Sequence, residues 1–514
     1  MGEGDAVAFS KGGSRWKVEN AIRHPLLFFA LRGVAPCPAN LCARFAGGSD
    51  GGPSPRCARP SQGALVSTQV VQCGRLDRNG TDLPPMERRL QRRYLQILQE
   101  HMKSANTNAA GPSLLPGENQ AAAATQATWR FLNNPNVLLT DLMEPLRQVG
   151  RDAAAASDSS YALLAHDWCK IDYKNHTTKA DLRQITHQHD VGYEMTTSLL
   201  IDAATGDAVA PMQMHLKTGS ALHSTAEESP DLDAHRLDQV SPTMREAEKW
   251  GLQRKIVHVI DREADTLGRM RQWDAEGHLF LVRCDDRRVK WNGKSVLISE
   301  IRDHFDAEVL FEPCGEALFH GKTVSQEVVQ TEVILHRPHS EVVDGAKRTI
   351  AGKPLRVRLV ITRLIDEEGS IVAQWTLLCN VFDVAVSAYQ IALWYYWRWL
   401  IETFFKLLKS HGQELEQWQQ QSGEAIARRI LVASMACVVV VGLQRDESPE
   451  ATRTKKILVR LSGRQMKYGV ISTAPALLAG YMNLLSVNDL LTQTDVDVGE
   501  LKRIAKQTLP FELV

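Results

Sequence analysis

Residues Trp394–Lys409 read WYYWRWLIETFFKLLK. At roughly 100° per residue, Tyr395, Arg398, Glu402, Lys406 and Lys409 fall within about 80° of one another around a helix. The opposite side carries Trp397, Leu400, Ile401, Phe404, Leu407 and Leu408. The stretch predicts an amphipathic helix whose apolar side is core and whose other side mixes cations, a phenol and one carboxylate. Spacing alone also fits a solvated face with an Arg–Glu and Glu–Lys ladder, which any surface helix can carry. Two upstream stretches weigh against that reading. Val257–Asp265 reads VHVIDREAD, an apolar strand ending in Asp261, and Tyr161–Asp167 reads YALLAHD, an apolar strand ending in Asp167.

Taken in order, these stretches resemble the Y-R-E-K signature, the D-R-E-A-D element and the first acidic strand of DDE transposases of the insertion-sequence-four family. These are cut-and-paste bacterial enzymes, and the resemblance runs from about Met86 to the C-terminus. It implies an α/β fold: an RNase H-like catalytic core, a mixed sheet flanked by helices, interrupted by a β-rich insertion, with helical N- and C-terminal regions. It also implies that Asp167, Asp261 and Glu402 are the catalytic residues and the metal ligands. Phosphodiester cleavage needs an activated oxygen nucleophile and a stabilised leaving group, and two hard cations about 4 Å apart can supply both. Magnesium takes oxygen ligands, so three carboxylates suit two Mg2+ (or Mn2+) ions.

The cations beside Glu402 have a complementary use. Arg398 can fork two hydrogen bonds to a phosphate, Lys406 and Lys409 act as point charges, and Tyr395 can donate a phenolic hydrogen bond. By the resemblance these four grip DNA next to the cleaved end, and Arg283, after the strand HLFLV, is another phosphate contact. Trp375 lies where the family stacks an aromatic on a flipped base; as a residue of a strand it fits a core aromatic equally well. Asp172 is a rival to Asp167, and Glu263 and Asp265 are candidates to assist the metal, with Arg262–Glu263 as a local structural pair. His166, His187 and His189 fit no metal-ligand spacing and read as solvated or supporting residues.

Composition sets the frame for this reading. The chain has 514 residues, 44% of them hydrophobic, enough for a large core and more than one domain. The formal net charge is zero, so a nucleic-acid signal must be local. Nine cysteines are scattered with no C-x2-C pair, which argues against a zinc framework and a disulfide scaffold. The longest apolar run, Ile430–Leu443, is short for a membrane span and predicts a buried core helix. A cytoplasmic bacterial protein that meets no membrane is expected.

Along the chain, residues 1–85 are rich in Gly, Pro, Ser and Arg and show no sustained periodicity. They read as a disordered or mis-started extension, with Met86 nearer the true beginning. Residues 86–156 are expected to form a helical DNA-end-binding region. It opens on MERRLQRRYLQILQEHMK, where Arg88, Arg89, Arg92 and Arg93 cluster as arginines on a phosphate-contacting helix do. After an Asn106–Asn119 loop comes Trp129–Val137 (WRFLNNPNV), similar to the family's Y-R-F-x-x-N-P-x-V segment. Arg130 there matches an arginine that contacts terminal DNA; Trp129 stands in place of Tyr, and the family's L-G-D-x-R element does not occur in this sequence.

Residues 157–283 are expected to give the first part of the core, with turns at Gly192 and Gly206. Residues 284–373 form the β-rich insertion, 374–422 the second part of the core with the signature helix, and 423–514 a helical dimerisation region. That last region carries basic residues at Lys455, Lys456, Arg460, Arg464 and Lys467. The resemblance implies double-stranded DNA as partner, both element ends and target, and a homodimer in the synaptic complex. A non-catalytic DNA-binding or inhibitory remnant is the alternative, and a nuclease that does not transpose is a third reading; a mere binding module has no need of the three carboxylates.

Overall fold

Apolar runs and β-branched alternation place the first strands close to where the sequence predicts them. They are β1 (Tyr161–Asp172), β2 (Arg183–Gln184), β3 (Val191–Asp202), β4 (Ala208–Lys217), β5 (Leu222–Ser224), β6 (Lys255–Ile260) and β7 (Leu279–Arg283). The computed structural model describes residues 83–103, 121–228, 231–232, 235–319, 322–343, 346–409, 412–466, 470–494 and 496–508. The expectations for residues 1–82, the Asn106–Asn119 loop and Lys467 lie outside them. Among the described residues, β1, β3 and β4 make an antiparallel meander, and β6 and β7 add parallel to β1, giving the order β5-β4-β3-β1-β6-β7. An antiparallel three-stranded half joined to two parallel strands makes a mixed sheet, consistent with the RNase H-like core that the resemblance implies.

The segment expected as an insertion carries β8 (Arg288–Trp291), β9 (Lys294–Leu297), β10 (Glu312–Phe319), β11 (Lys322–Leu335), β12 (His339–Val343), β13 (Ala346–Ile350) and β14 (Leu355–Ile365), and β15 (Ile371–Cys379) follows. Its strands prolong the core sheet in the order β7-β15-β14-β11-β8-β9, and β12 and β13 pair separately. The boundary expected at 373/374 falls inside β15. Contacts divide the chain into two units. The larger holds the described residues up to Phe311, Val328–Thr362, and those from Trp375 onward; the smaller comprises Glu312–Glu327 and Arg363–Gln374. Within the smaller unit Arg363 pairs with Glu327 at 2.8 Å, and Cys314 donates to the Gln326 carbonyl.

Helices α1 (Arg88–Lys103), α2 (Ala121–Leu132) and α3 (Leu139–Ala156) precede the sheet, and α4 (Val240–Ala247), α5 (Leu267–Ala275) and α6 (Ile298–Ala307) follow β5, β6 and β9. The all-β reading of 284–373 misses α6, whose Ile298, Ile301 and Phe305 are buried at helical spacing. Later come α7 (Ala388–Trp397), α8 (Leu400–Leu408), α9 (Gly423–Arg445), α10 (Pro449–Leu461), α11 (Ala474–Thr494) and α12 (Val498–Thr508). Ser422 caps α9 by accepting from the Ala425 N–H. The helix holds the apolar run and is buried along most of it against α1, α3 and β4, the core helix that the sequence predicts. On the other side of the sheet, α4, α5 and α6 pack Met244, Met270, Trp273 and Phe305 over Phe280 and Val282.

Gly192 is not a turn. It lies inside β3 opposite Asp172, and a side chain there would fall onto the Ile171 carbonyl oxygen, so glycine serves a close backbone approach. Gly206 does turn the β3–β4 hairpin, at φ +77°.

Candidate active site

The site starts from the register of two parallel strands. Ala165 of β1 lies opposite Val259 of β6, and two residues further along the chain come Asp167, still within β1, and Asp261, just past the end of β6. Paired positions of neighbouring strands share a face, so both carboxylates leave the sheet on the same side. The sequence reading ends the first strand at Asp167, but β1 runs on to Asp172. Its unbroken buried run stops at His166, while residues 167–172, mostly half-buried with Ile171 still buried, stay paired with β3, Asp167 against Thr197. The apolar-to-polar change thus marks the end of β6 beside it, after Ile260, and that end opens a notch next to the second half of β1. Asp261 there caps the turn Arg262–Ala264 by accepting from the Glu263 N–H at 2.9 Å.

The third carboxylate comes from the signature stretch, which is two helices and not one. Ser387 caps α7, and the chain tightens at Arg398–Trp399 before α8 begins. Here Arg398, Trp399, Ile401 and Glu402 donate to carbonyls three residues back, at 3.1–3.2 Å, in place of four. The aromatic residues on either side of the break go opposite ways. Trp394 is buried against Tyr161, while Trp399 is 44% exposed. Arg398 between them turns inward to Asp167, where its Nη1 donates to Oδ2 at 2.7 Å. Glu402 lies 4.0 Å from the same guanidinium.

Asp167, Trp168, Cys169, Asp261, Glu263, Arg398, Glu402, Phe405, Lys406 and Lys409 line one cavity of about 420 Å³. Burial pushes the Asp167 carboxyl up from its usual range; Arg398 and the Trp168 N–H oppose the rise and Asp261 adds to it. Burial also raises Glu402, with Arg398 and Lys406 opposing and Asp167 and Asp261 adding. Burial works against the charge on Arg398, yet Asp167, Tyr395, Asp261 and Glu402 together hold it above the usual guanidinium value. Arg398 Nε is buried without an acceptor among the described residues. The site thus concentrates negative charge, answers it with a buried arginine, and keeps one arginine donor unused.

Of the residues singled out in the sequence, Asp167, Asp261, Glu402, Arg398, Lys406 and Lys409 meet in this cavity. Lys406 is exposed; Lys409 is half-buried and clasps β1 to the following loop through the Lys170 carbonyl (2.6 Å) and Glu416 (2.8 Å). Tyr395 is buried. Its phenol is raised by burial and feels the opposing charges of Arg398 and Arg283, so it belongs to the same charged cluster without lining the cavity. Trp375 is half-buried on β15 and does not line it either. Arg130 and the exposed Arg88, Arg89 and Arg92, with half-exposed Arg93, lie on α2 and α1 and contribute nothing to the cavity wall.

Asp172 is held outside by Lys170 and Lys174 and takes the Lys174 N–H. His166 is buried, bonded to Ser198 and His258 at 2.9 Å, while His187 and His189 are exposed. The local pair Arg262–Glu263 does not form. Arg262 pairs with Asp285, and Glu263 takes a two-pronged grip from Arg236 at 3.0 and 3.1 Å. Asp265 is engaged by Arg287. Sequence reasoning missed Trp168, Cys169 and Phe405. The signal for Trp168 was its place directly after the strand carboxylate; burial pushes the Cys169 thiol up to about 12.

Residues 218–439 match the family model of the transposase DDE domain. That span takes in Asp261 and Glu402, and Asp167 lies ahead of it. Comparison with curated proteins gives no match. The mixed sheet flanked by helices, the clustered carboxylates and the family match support a DDE transposase, a nuclease of the transposase type, with DNA as the partner that such a family suggests.

Proposed function

We propose that this chain is the transposase of an insertion sequence of the insertion-sequence-four type. It binds the element's ends, cleaves them by metal-dependent phosphoryl transfer and joins the freed 3′ ends to target DNA. The observation that carries the reading is the meeting of Asp167, Asp261 and Glu402 with Arg398 in one cavity, from three separate stretches. The donor set is all carboxylate oxygen, which suits Mg2+ or Mn2+. Among the described residues the three do not converge into a ready cation cluster, and Arg398 supplies positive charge to Asp167 instead. Asp167, Asp261 and Glu402 would hold the ions, which when bound activate the attacking oxygen and neutralise the leaving one.

The chain's own residues do the rest. Arg398, Lys406 and Lys409 hold the phosphate backbone against the carboxylates. Buried Tyr395 backs Arg398, and Arg283 extends the positive surface. Trp375 is assigned to an extruded base further along the strand. The arginines of α1 and Arg130 fix the register on the element end from residues 86–156, and residues 423–514 pair two protomers for synapsis. Because Tyr395 is buried and no covalent intermediate is needed, water or a DNA 3′-hydroxyl is the nucleophile.

Cleavage of a plasmid carrying the repeats that flank this gene tests the proposal, with Mg2+ or EDTA and with Glu402→Ala and Asp261→Ala. Metal-dependent cuts at the repeat ends, lost in both variants while binding persists, are expected. Normal cleavage by either variant would overturn the metal assignment; binding by the unaltered protein without any cut would favour an inhibitory remnant.

A further inference from the structure

Backbone pairing between β1 and β6 stops short of the carboxylates. Its last register pair is Ala165 opposite Val259, and Asp167 and Asp261 lie beyond it. Asp167 still has β3 beside it and Arg398 on its Oδ2. Asp261 stands at the head of the turn Arg262–Ala264, and the ties of that turn to the loop after β7 do not reach β1: Arg262 pairs with Asp285, and Asp265 takes the Asp285 N–H and Arg287. A side-chain join crosses the gap instead. Trp168, next to Asp167, donates its indole N–H to Glu263, two residues past Asp261, at 3.3 Å. The same two residues hold the carboxylates directly. The Trp168 backbone N–H donates to Asp167 Oδ1 at 2.8 Å, and the Glu263 N–H donates to Asp261 Oδ1 at 2.9 Å.

Arg236 clamps this join and belongs to neither strand: it opens the short turn Arg236–Gln239 that leads into α4. Its guanidinium lies over the Trp168 ring, 3.8 Å from the ring centre, and two of its nitrogens reach the Glu263 carboxylate at 3.0 and 3.1 Å. Glu194 of β3 lies 3.6 Å from a third nitrogen. A lone ion pair at a partly exposed carboxylate would hold little. A planar fork that grips the carboxylate and covers the ring at once is directional, which a point charge is not. Loss of a group that orients a metal-holding side chain costs roughly 10–100-fold in metal affinity or activity. We propose that Arg236, acting through Glu263 and Trp168, is a positioning residue for Asp261 that sets it against Asp167 for the cations of the cleavage reaction. This rests on the metal-dependent reading above, and it gives Glu263, a fourth carboxylate in the cavity wall, a role other than ligand.

The test measures Mn2+ binding to the full chain without DNA, by the electron paramagnetic resonance of the free ion, and the Mg2+ concentration at half-maximal cleavage alongside it. Charge alone predicts opposite signs for two variants. Glu263→Ala removes an acid and should weaken cation binding, whereas Arg236→Met removes a cation and should strengthen it. Positioning predicts that both weaken Mn2+ binding by about 10-fold and raise the Mg2+ requirement likewise. Because the two residues act through one link, the double variant should be no weaker than Glu263→Ala alone. Arg236→Lys keeps the charge but has neither the fork nor the flat face, so it should also weaken binding; it serves where Arg236→Met fails to fold. Unchanged or tighter Mn2+ binding in the Arg236 variants, or losses that multiply to about 100-fold in the double variant, would overturn the inference and leave the metal-dependent reading standing. No Mn2+ binding by the unaltered protein, or binding that survives Asp261→Ala, would overturn both.

Discussion

Replacing Arg398 with methionine removes the charge that faces Asp167 while keeping most of the side-chain volume. Arg398 is 5% exposed and 2.7 Å from the Asp167 carboxylate, which lies beside Asp261 and Glu402. Breaking a buried pair by deleting one partner costs about 3–5 kcal/mol, because a charge is left without compensation. Asp167 can escape part of that cost by taking a proton. Burial already raises its pKa and Arg398 holds the rise back, so the variant's carboxyl titrates higher still. A folded pKa above the unfolded value means that the folded state binds the extra proton. Stability is then retained below the unfolded pKa and lost as pH rises through the folded one, about 1.4 kcal/mol for each further pKa unit. Urea unfolding of Arg398→Met at pH 5 and pH 8 should therefore show the larger loss at pH 8. Adding Asp167→Asn should recover most of it. Mg2+ should stabilise the single variant more than the unaltered protein, since no guanidinium competes for Asp167. Equal losses at both pH values, or no recovery in the double variant, would refute the reasoning.

Gly192→Ala should destabilise the β1–β3 pairing by about 1–3 kcal/mol, measured by denaturant unfolding, because the added methyl meets backbone and not a flexible side chain. His101 and His166 are buried with pKa values lowered to about 3, and His215 to about 4, each by burial first. A depressed folded pKa gives stability that is complete above the unfolded value near 6.5 and lost as pH falls toward 4. Unfolding followed between pH 7 and pH 4 should show that loss, and less of it in His215→Gln. Lys406→Ala should lower the salt dependence of DNA binding by about one phosphate contact without altering stability. Lys409→Ala should also loosen the fold, since Lys409 ties β1 to Glu416; band-shift titrations in salt alongside thermal melts separate the two.

Part of the cavity lining was legible because a charged residue at the end of an apolar run stands out. YALLAHD and VHVID announce Asp167 and Asp261 in that way, and the family resemblance supplied Glu402. Where the sequence misleads, the cause is tertiary. A helical wheel assumes an unbroken helix, and here the helix breaks at Arg398, whose guanidinium meets a carboxylate far away in the chain. The apolar run breaks at Asp167 where β6 gives out beside it, although β1 itself runs on to Asp172. Gly192 reads as a turn until a crossing carbonyl explains it. Trp168 and Arg236 are distant in sequence, and no local pattern marks them as stacked. Helix α6 was hidden by the strands on either side of it.

Helix α9 packs against both α8 and β4, and so the helix that carries Glu402, which also rests on β1, takes part of its seat from a segment beyond it. Synthesis from the N-terminus delivers Asp167 and Asp261 long before that point. A chain still on the ribosome, or one cut short before α9, has Asp167 and Asp261 in or beside the sheet and lacks part of the support for the helix that carries Glu402. The order of translation then sets when the cavity can take its shape: the wall that carries its third carboxylate is seated last.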